Sequence, residues 1–257
     1  MSRVRRRPRG PPSRRLRSVR RRLVSVVVSA LVLASCGRSA PGDVTVFAAS
    51  SLTAAFTALA KTDPSLHATF DFGASSTLAT QLAEGPADVF ASADETNMRK
   101  VSSLVETPAI FARNRLEIAV APGDPKHIAS LADLSRPGLI VAICAPRVPC
   151  GTFAREAFAK AHVTVPNASS EENVSAVLTK VELGEADAGI VYTTDVQSAG
   201  AKVGAVPIPE ADNIIASYPI AVVKDGVHRG AARAFERLVL SAKGQRLLRR
   251  FGFLPPA

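Results

Sequence analysis

The sequence contains no tryptophan and only two tyrosines among 257 residues. So few large flat side chains argue against a nucleic-acid platform built on base stacking. There are three cysteines, too few for a disulfide-dense scaffold, and the four histidines (His67, His127, His162, His228) are scattered without the spacing of a metal site. No acidic residue occurs before Asp43. The formal net charge of +10 and pI near 10.2 suggest at first a polyanionic partner. The distribution of charge removes that reading. Eleven arginines lie between Arg3 and Arg22, which leaves 21 basic against 22 acidic residues from Cys36 onward. That near-neutral part is the size of one large or two small domains. With 47% hydrophobic residues and a mean hydropathy of +0.15, the chain can bury a core.

The basic segment reads as an export leader. Residues 1–35 begin with the arginine-rich stretch and continue into 23–34 (LVSVVVSALVLA). This apolar run of 12 residues is short of the roughly 20 needed to span a bilayer. Leu33-Ala34-Ser35-Cys36 follows. Small residues ahead of a single cysteine resemble the lipobox of bacterial lipoproteins, which implies cleavage before Cys36, lipid on Cys36 and a tether over 36–42. An ordinary signal peptide that happens to hold a cysteine, or a basic nucleic-acid arm, is the alternative. Export through the general or the twin-arginine route stays open, because a match to Arg20-Arg21-Arg22-Leu23 arises easily in so arginine-rich a stretch. Outside the cytoplasm, Cys144 and Cys150 with Pro146 and Pro149 between them read as a local disulfide. Such a loop contributes about 2 kcal/mol in the chain-entropy model. A metal site is the alternative, and would need two further ligands nearby.

After Asp43 the pattern alternates short apolar runs with helical ones. Strand candidates are 44–49, 68–72, 88–91, 116–121, 139–144, 188–192 and 218–223, and helix candidates include 52–60, 78–84, 153–161, 173–183 and 230–251. That alternation predicts an α/β fold with mainly parallel sheets.

Four places bring a strand or tight turn into a cluster of hydroxyls or amides where a helix starts. They are 49–53 (ASSLT), 73–78 (GASSTL), 149–152 (PCGT) and 173–175 (NVS). At each alone, capping of the helix explains the residues. Together, at the C-terminal ends of strands, they would form a neutral cage of N–H and O–H donors. Such a cage suits a fully ionised tetrahedral dianion. A protonated phosphate would also need an acceptor, and none of the four turns has Asp or Glu at its centre, although Glu171 and Glu172 precede the fourth.

The blocks 44–56 (VTVFAASSLTAAF), 72–94 (FGASSTLATQLAEGPADVFASAD), 148–158 (VPCGTFAREAF), 172–195 (ENVSAVLTKVELGEADAGIVYTTD) and 244–253 (GQRLLRRFGF) resemble the molybdate-binding periplasmic proteins of ABC importers. The likeness runs over nearly the whole chain after Asp43, with blocks in the family's order. It implies a type II periplasmic-binding-protein fold of two lobes and a hinge. The first lobe is then 43–120 plus 218–257 and the second 121–217, with crossings near Ala119–Pro122 and Ser217–Ala221. The resemblance places oxyanion donors at Ser51 and Ser75 (hydroxyls), Cys150 and Val174 (backbone N–H) and Tyr192 (hydroxyl). Asp195 orients the loop after Tyr192, and Asp88 and Asp94 act as caps or turn bonds.

The reading is a binding protein and not an enzyme, a monomer without cofactor or nucleic-acid partner. It captures molybdate, with tungstate, and delivers it to an ABC permease from a lipid anchor on the outer face of the cytoplasmic membrane. Donor chemistry alone does not separate molybdate from sulfate or another oxyanion, and an oxyanion-binding protein for one of these is the alternative. A lipid-anchored serine hydrolase on Ser51 or Ser75 is the remote one, since neither serine stands in G-x-S-x-G nor has a histidine beside it.

Overall fold

The computed structural model describes residues 42–256. The leader 1–35 and Cys36 lie outside the described residues. Among the described residues no helix is long and apolar enough to cross a membrane.

In chain order the strands are β1 (Asp43–Ala49), β2 (His67–Gly73), β3 (Val89–Ala91), β4 (Ala109–Val120), β5 (Val141–Ala142), β6 (Ala188–Tyr192), β7 (Gly204–Pro207) and β8 (Ile215–Val222). The helices are α1 (Thr53–Ala60), α2 (Ser75–Gln81), α3 (Glu95–Lys100), α4 (Pro149–Lys160), α5 (Val174–Glu182), α6 (Thr193–Ala199), α7 (Arg229–Leu240) and α8 (Ala242–Arg250). One sheet runs β2-β1-β3-β8-β4-β6-β5, and β7 also pairs with β4.

The sheet is α/β in character but mixed in direction. β1 pairs in parallel with β2 and β3, and β5 with β6, as expected of strands joined through helices. Around the two long strands every pairing is antiparallel: β3 with β8, and β4 with β8, β6 and β7. These are the strands that traverse the middle of the sheet. β4 pairs with β8 over Ala109–Arg115 and with β6 and β7 over Leu116–Val120. The change of partner falls between Arg115 and Leu116. β4 begins seven residues before the apolar run LEIAVA, because Arg113, Asn114 and Arg115 interrupt the hydrophobic pattern without ending the strand.

The central strands are buried on both faces, so β3 and β6 read as continuous apolar runs and not as alternations. Phe56 of α1 is fully buried against Phe70, Phe111 and Phe235, with ring centroids 6.3, 5.7 and 5.4 Å away. This aromatic cluster ties α1, β2, β4 and α7 together.

The C-terminal segment departs from the single amphipathic helix expected over 230–251. Ser241 is extended (φ −66°, ψ 159°) and separates α7 from α8. Its Oγ accepts from Gly244 N at 3.0 Å, capping α8. A Cβ at Gly244 would collide with the carbonyl oxygens of Leu238 and Val239. The apolar stripe continues through this corner, which is why periodicity alone does not reveal it. Replacing Ser241 by Ala is expected to cost about 1 kcal/mol through loss of the cap, measured by urea denaturation. An unchanged midpoint would show that the corner is held by packing alone.

Candidate oxyanion site

Six turns supply the walls of one cavity, and each is shaped by local sequence. β1 ends at Ala49 and passes into a 3-10 turn at Ser50–Leu52, where Thr53 Oγ1 donates to Ser50 O at 2.7 Å. β2 ends at Gly73, Ala74 is extended, and Ser75 opens α2. Ser75 Oγ accepts from Ala93 N at 2.9 Å, tying this turn to the one after β3. Pro149 opens α4, where its missing N–H costs nothing, and leaves Cys150 in the first turn. Gly151 follows because a Cβ there would collide with the carbonyl oxygens of Cys144 and Ala145. A disulfide joins Cys144 to Cys150 across the same turn. Asn173 caps α5, its Oδ1 accepting from Ala176 N at 3.0 Å, and Val174 is the first helical residue. Finally β6 ends at Tyr192, from which α6 starts.

The structure brings Ser51, Ser75, Cys150, Val174 and Tyr192 together on the wall of a single small cavity of about 10 Å³. Ser50, Ala93 and Asn173 are also part of that wall, and no charged side chain is among the residues that line it. Cys150 and Val174 stand in the first turns of helices of twelve and nine residues, where backbone N–H groups have no carbonyl four residues back. Their helix dipoles add positive potential. Tyr192 is 1% exposed, and its Oη makes no hydrogen bond within the fold. A buried hydroxyl without a partner is costly unless something outside the chain accepts from it. Burial first, then the neighbouring Tyr218 and Asp195, hold the Tyr192 hydroxyl well above the ordinary tyrosine range, so it stays protonated and remains a donor.

Sequence reasoning missed Tyr218, the only other tyrosine. Its Oη lies 2.9 Å from Ser51 Oγ. It stands on β8, in a run whose composition reads as plain core. Asn114 of β4 is equally hidden; its Nδ2 reaches Thr194 Oγ1 at 2.9 Å and Tyr218 Oη at 3.5 Å.

The model of the bacterial extracellular solute-binding protein family matches residues 44–254. The molybdate-binding protein ModA of Mycobacterium tuberculosis H37Rv is 40% identical over 252 residues, 90% of this chain and 97% of that one. The chain belongs to the bacterial extracellular solute-binding proteins. Among solved structures, the periplasmic molybdate-binding protein of Azotobacter vinelandii is similar with a TM-score of 0.75 at 19% identity, over 83% of this chain and 100% of that one. The sulfate-binding protein SubI of M. tuberculosis H37Rv is similar with a TM-score of 0.70 at 22% identity, over 83% and 86%. These two likenesses are of fold.

In this solute-binding protein Asp94 and Asp195, beside the cavity, and Asp88, before β3, all accept from backbone N–H groups. Asp94 caps α3, accepting from Asn97 N at 2.8 Å. Asp88 accepts from Thr45 N and His228 N, both at 2.8 Å, and pairs with His228 Nδ1 at 2.9 Å. Asp195 Oδ2 accepts from Tyr192 N at 2.9 Å and so holds the turn that carries the tyrosine. Burial pushes the Asp195 carboxyl up to about 7, against the lowering effect of that N–H. The folded state therefore binds a proton that the unfolded chain has released. The stability tied to this proton is complete below pH about 4 and lost as pH rises through about 7. Asp195→Asn keeps an acceptor for Tyr192 N and removes the titration. The melting temperature of wild type minus that of the variant is expected to fall between pH 4 and 7 and level off above. A difference that does not change with pH would contradict this.

Proposed function

We propose that this chain is the extracytoplasmic capture protein for molybdate, with tungstate as a second ligand, and delivers the ion to an ABC permease. The observation that carries the reading is the cavity of neutral donors with the unpartnered, buried Tyr192 hydroxyl on its wall. The family membership and the 40% identity to a protein named for molybdate binding support the choice of ion.

In this reading the Ser51, Ser75 and Tyr192 hydroxyls and the Cys150 and Val174 N–H groups donate to one tetrahedral dianion. Hydrogen bonds to a charged acceptor are worth about 1.5–3 kcal/mol each, so five of them offset the removal of the anion from water. Residues 43–120 with 218–257 form one lobe and 121–217 the other, joined through β4 and β8, and closure of the two around the ion excludes solvent. The protein is a monomer, held by lipid on Cys36 at the outer face of the cytoplasmic membrane after removal of 1–35. It acts by binding and not by catalysis: no histidine is among the residues lining the cavity to activate a serine.

Calorimetry on the mature chain is expected to show binding of molybdate and tungstate. At a hundredfold excess over Kd, ligand stabilises the fold by about 2.7 kcal/mol. Tyr192→Phe is expected to weaken binding about tenfold, the loss of one hydrogen bond to a charged acceptor. Heat with sulfate but none with molybdate would assign the site to the other oxyanion.

A further inference from the structure

The two serines of the cavity are not held alike. Ser75 Oγ accepts from the Ala93 N–H, a group that only donates. The Ser75 proton is therefore left to point elsewhere, and the cavity is where an acceptor is wanted. Ser51 Oγ faces the Tyr218 hydroxyl at 2.9 Å, and between two hydroxyls either one can donate. The direction of that bond decides whether Ser51 offers the cavity a proton or a lone pair.

The chain behind Tyr218 sets the direction. Arg115 N donates to Asn114 Oδ1 at 3.0 Å, and a backbone N–H has no other role. This places the oxygen of the Asn114 amide and turns its NH2 group the other way. Its Nδ2 then donates to Thr194 Oγ1 at 2.9 Å and, in a longer contact of 3.5 Å, to Tyr218 Oη. With Asn114 donating to it, the Tyr218 hydroxyl has its own proton to give on the other side, to Ser51. All of these groups except Arg115 are buried, with Asn114 and Tyr218 at 0% exposure, so water does not compete for the bonds.

We infer that Tyr218 is a positioning residue that, oriented by Asn114, fixes Ser51 as a donor and so makes the cavity refuse oxyanions that carry a proton. The inference rests on the reading of the cavity as an oxyanion site. Ser75, polarised by a backbone N–H, needs no such relay. Without a bond donated by Tyr218, Ser51 is free to turn its proton away from the cavity and present its lone pairs to a protonated anion. A protonated oxyanion in the wild-type cavity finds donors at Ser51 and Ser75 and leaves its own O–H without an acceptor, which costs most of a buried hydrogen bond.

Tyr218→Phe removes the relay and keeps the ring that packs against Phe111 and Phe253. Affinities for molybdate and for inorganic phosphate, which carries a proton at pH 7.5, are to be measured by competition calorimetry on wild type and variant. The molybdate-to-phosphate preference is expected to fall by about tenfold or more, with phosphate binding improved in absolute terms. A merely structural role would weaken both anions together. A folded variant with an unchanged preference overturns the inference and leaves the oxyanion reading intact. Wild type that binds no oxyanion overturns both. Should the variant fail to fold, Asn114→Asp gives the same reading. A carboxylate there accepts from Tyr218, reverses the chain and presents a Ser51 lone pair to the cavity, so the preference falls again; a folded Asn114→Asp protein with wild-type preference likewise refutes it.

Discussion

A fully ionised oxyanion has lone pairs and no protons, so a site buried from water must meet it with donors and with nothing else. That requirement reaches well beyond the five donors proposed for the ion. It explains why the cavity wall is assembled from turns that precede helices, since helix starts are where backbone N–H groups lack partners. It fits Ser75 being backed by the Ala93 N–H, which takes one of its lone pairs, and Ser51 being backed by the Tyr218 hydroxyl. It also accounts for the carboxylates. Asp94 and Asp195 flank the same turns, and each accepts from a backbone N–H group. A free carboxylate would admit protonated anions and repel ionised ones.

Neutral donors carry a second consequence. An arginine or lysine in the cavity would attract any anion, whatever its shape or protonation. Hydroxyls and amides fixed by short turns discriminate by position. The rigidity is visible at Gly151, where only a hydrogen fits under the carbonyls of Cys144 and Ala145, and where the disulfide to Cys144 closes the same loop. The positive charge that dominates the composition lies between Arg3 and Arg22, and the cavity wall uses none of it.

What could be read from the sequence divides by range. Ser51, Ser75, Cys150 and Val174 stand in hydroxyl- or amide-rich helix starts that are visible as text, whereas Tyr192 is legible only through the family resemblance. Tyr218 and Asn114 are not of that kind. The Tyr218 partner is 167 residues away, and Asn114 meets it across 104 residues. Tyr218 stands in an apolar run that signals core, and Asn114 between two arginines where no strand is expected, so nothing local marks either. The same limit applies to the fold. Parallel pairing follows from strand–helix alternation, whereas the antiparallel middle follows from two strands that traverse the sheet in opposite directions, a property of the whole path. The α7–α8 corner was hidden for a different reason, because Ser241 interrupts the backbone without interrupting the apolar stripe.

The relay also stands at a mechanically telling place. β4 changes partners between Arg115 and Leu116, one residue beyond Asn114. At that break two buried asparagines serve the backbone. Asn114 Oδ1 accepts from Arg115 N, and Asn213 both accepts from Leu116 N and donates to Leu116 O, each at 2.9 Å. β8, the other strand that passes through the middle, carries Tyr218 opposite Ala112, within the same stretch of pairing. The Asn114–Tyr218–Ser51 chain thus links a cavity hydroxyl to the two strands on which the proposed lobes would turn. The 3.5 Å contact between Asn114 and Tyr218 is the longest link in the chain. A dianion that accepts from Ser51 strengthens every bond behind it, because each donor in a polarised chain becomes a better acceptor for the one before.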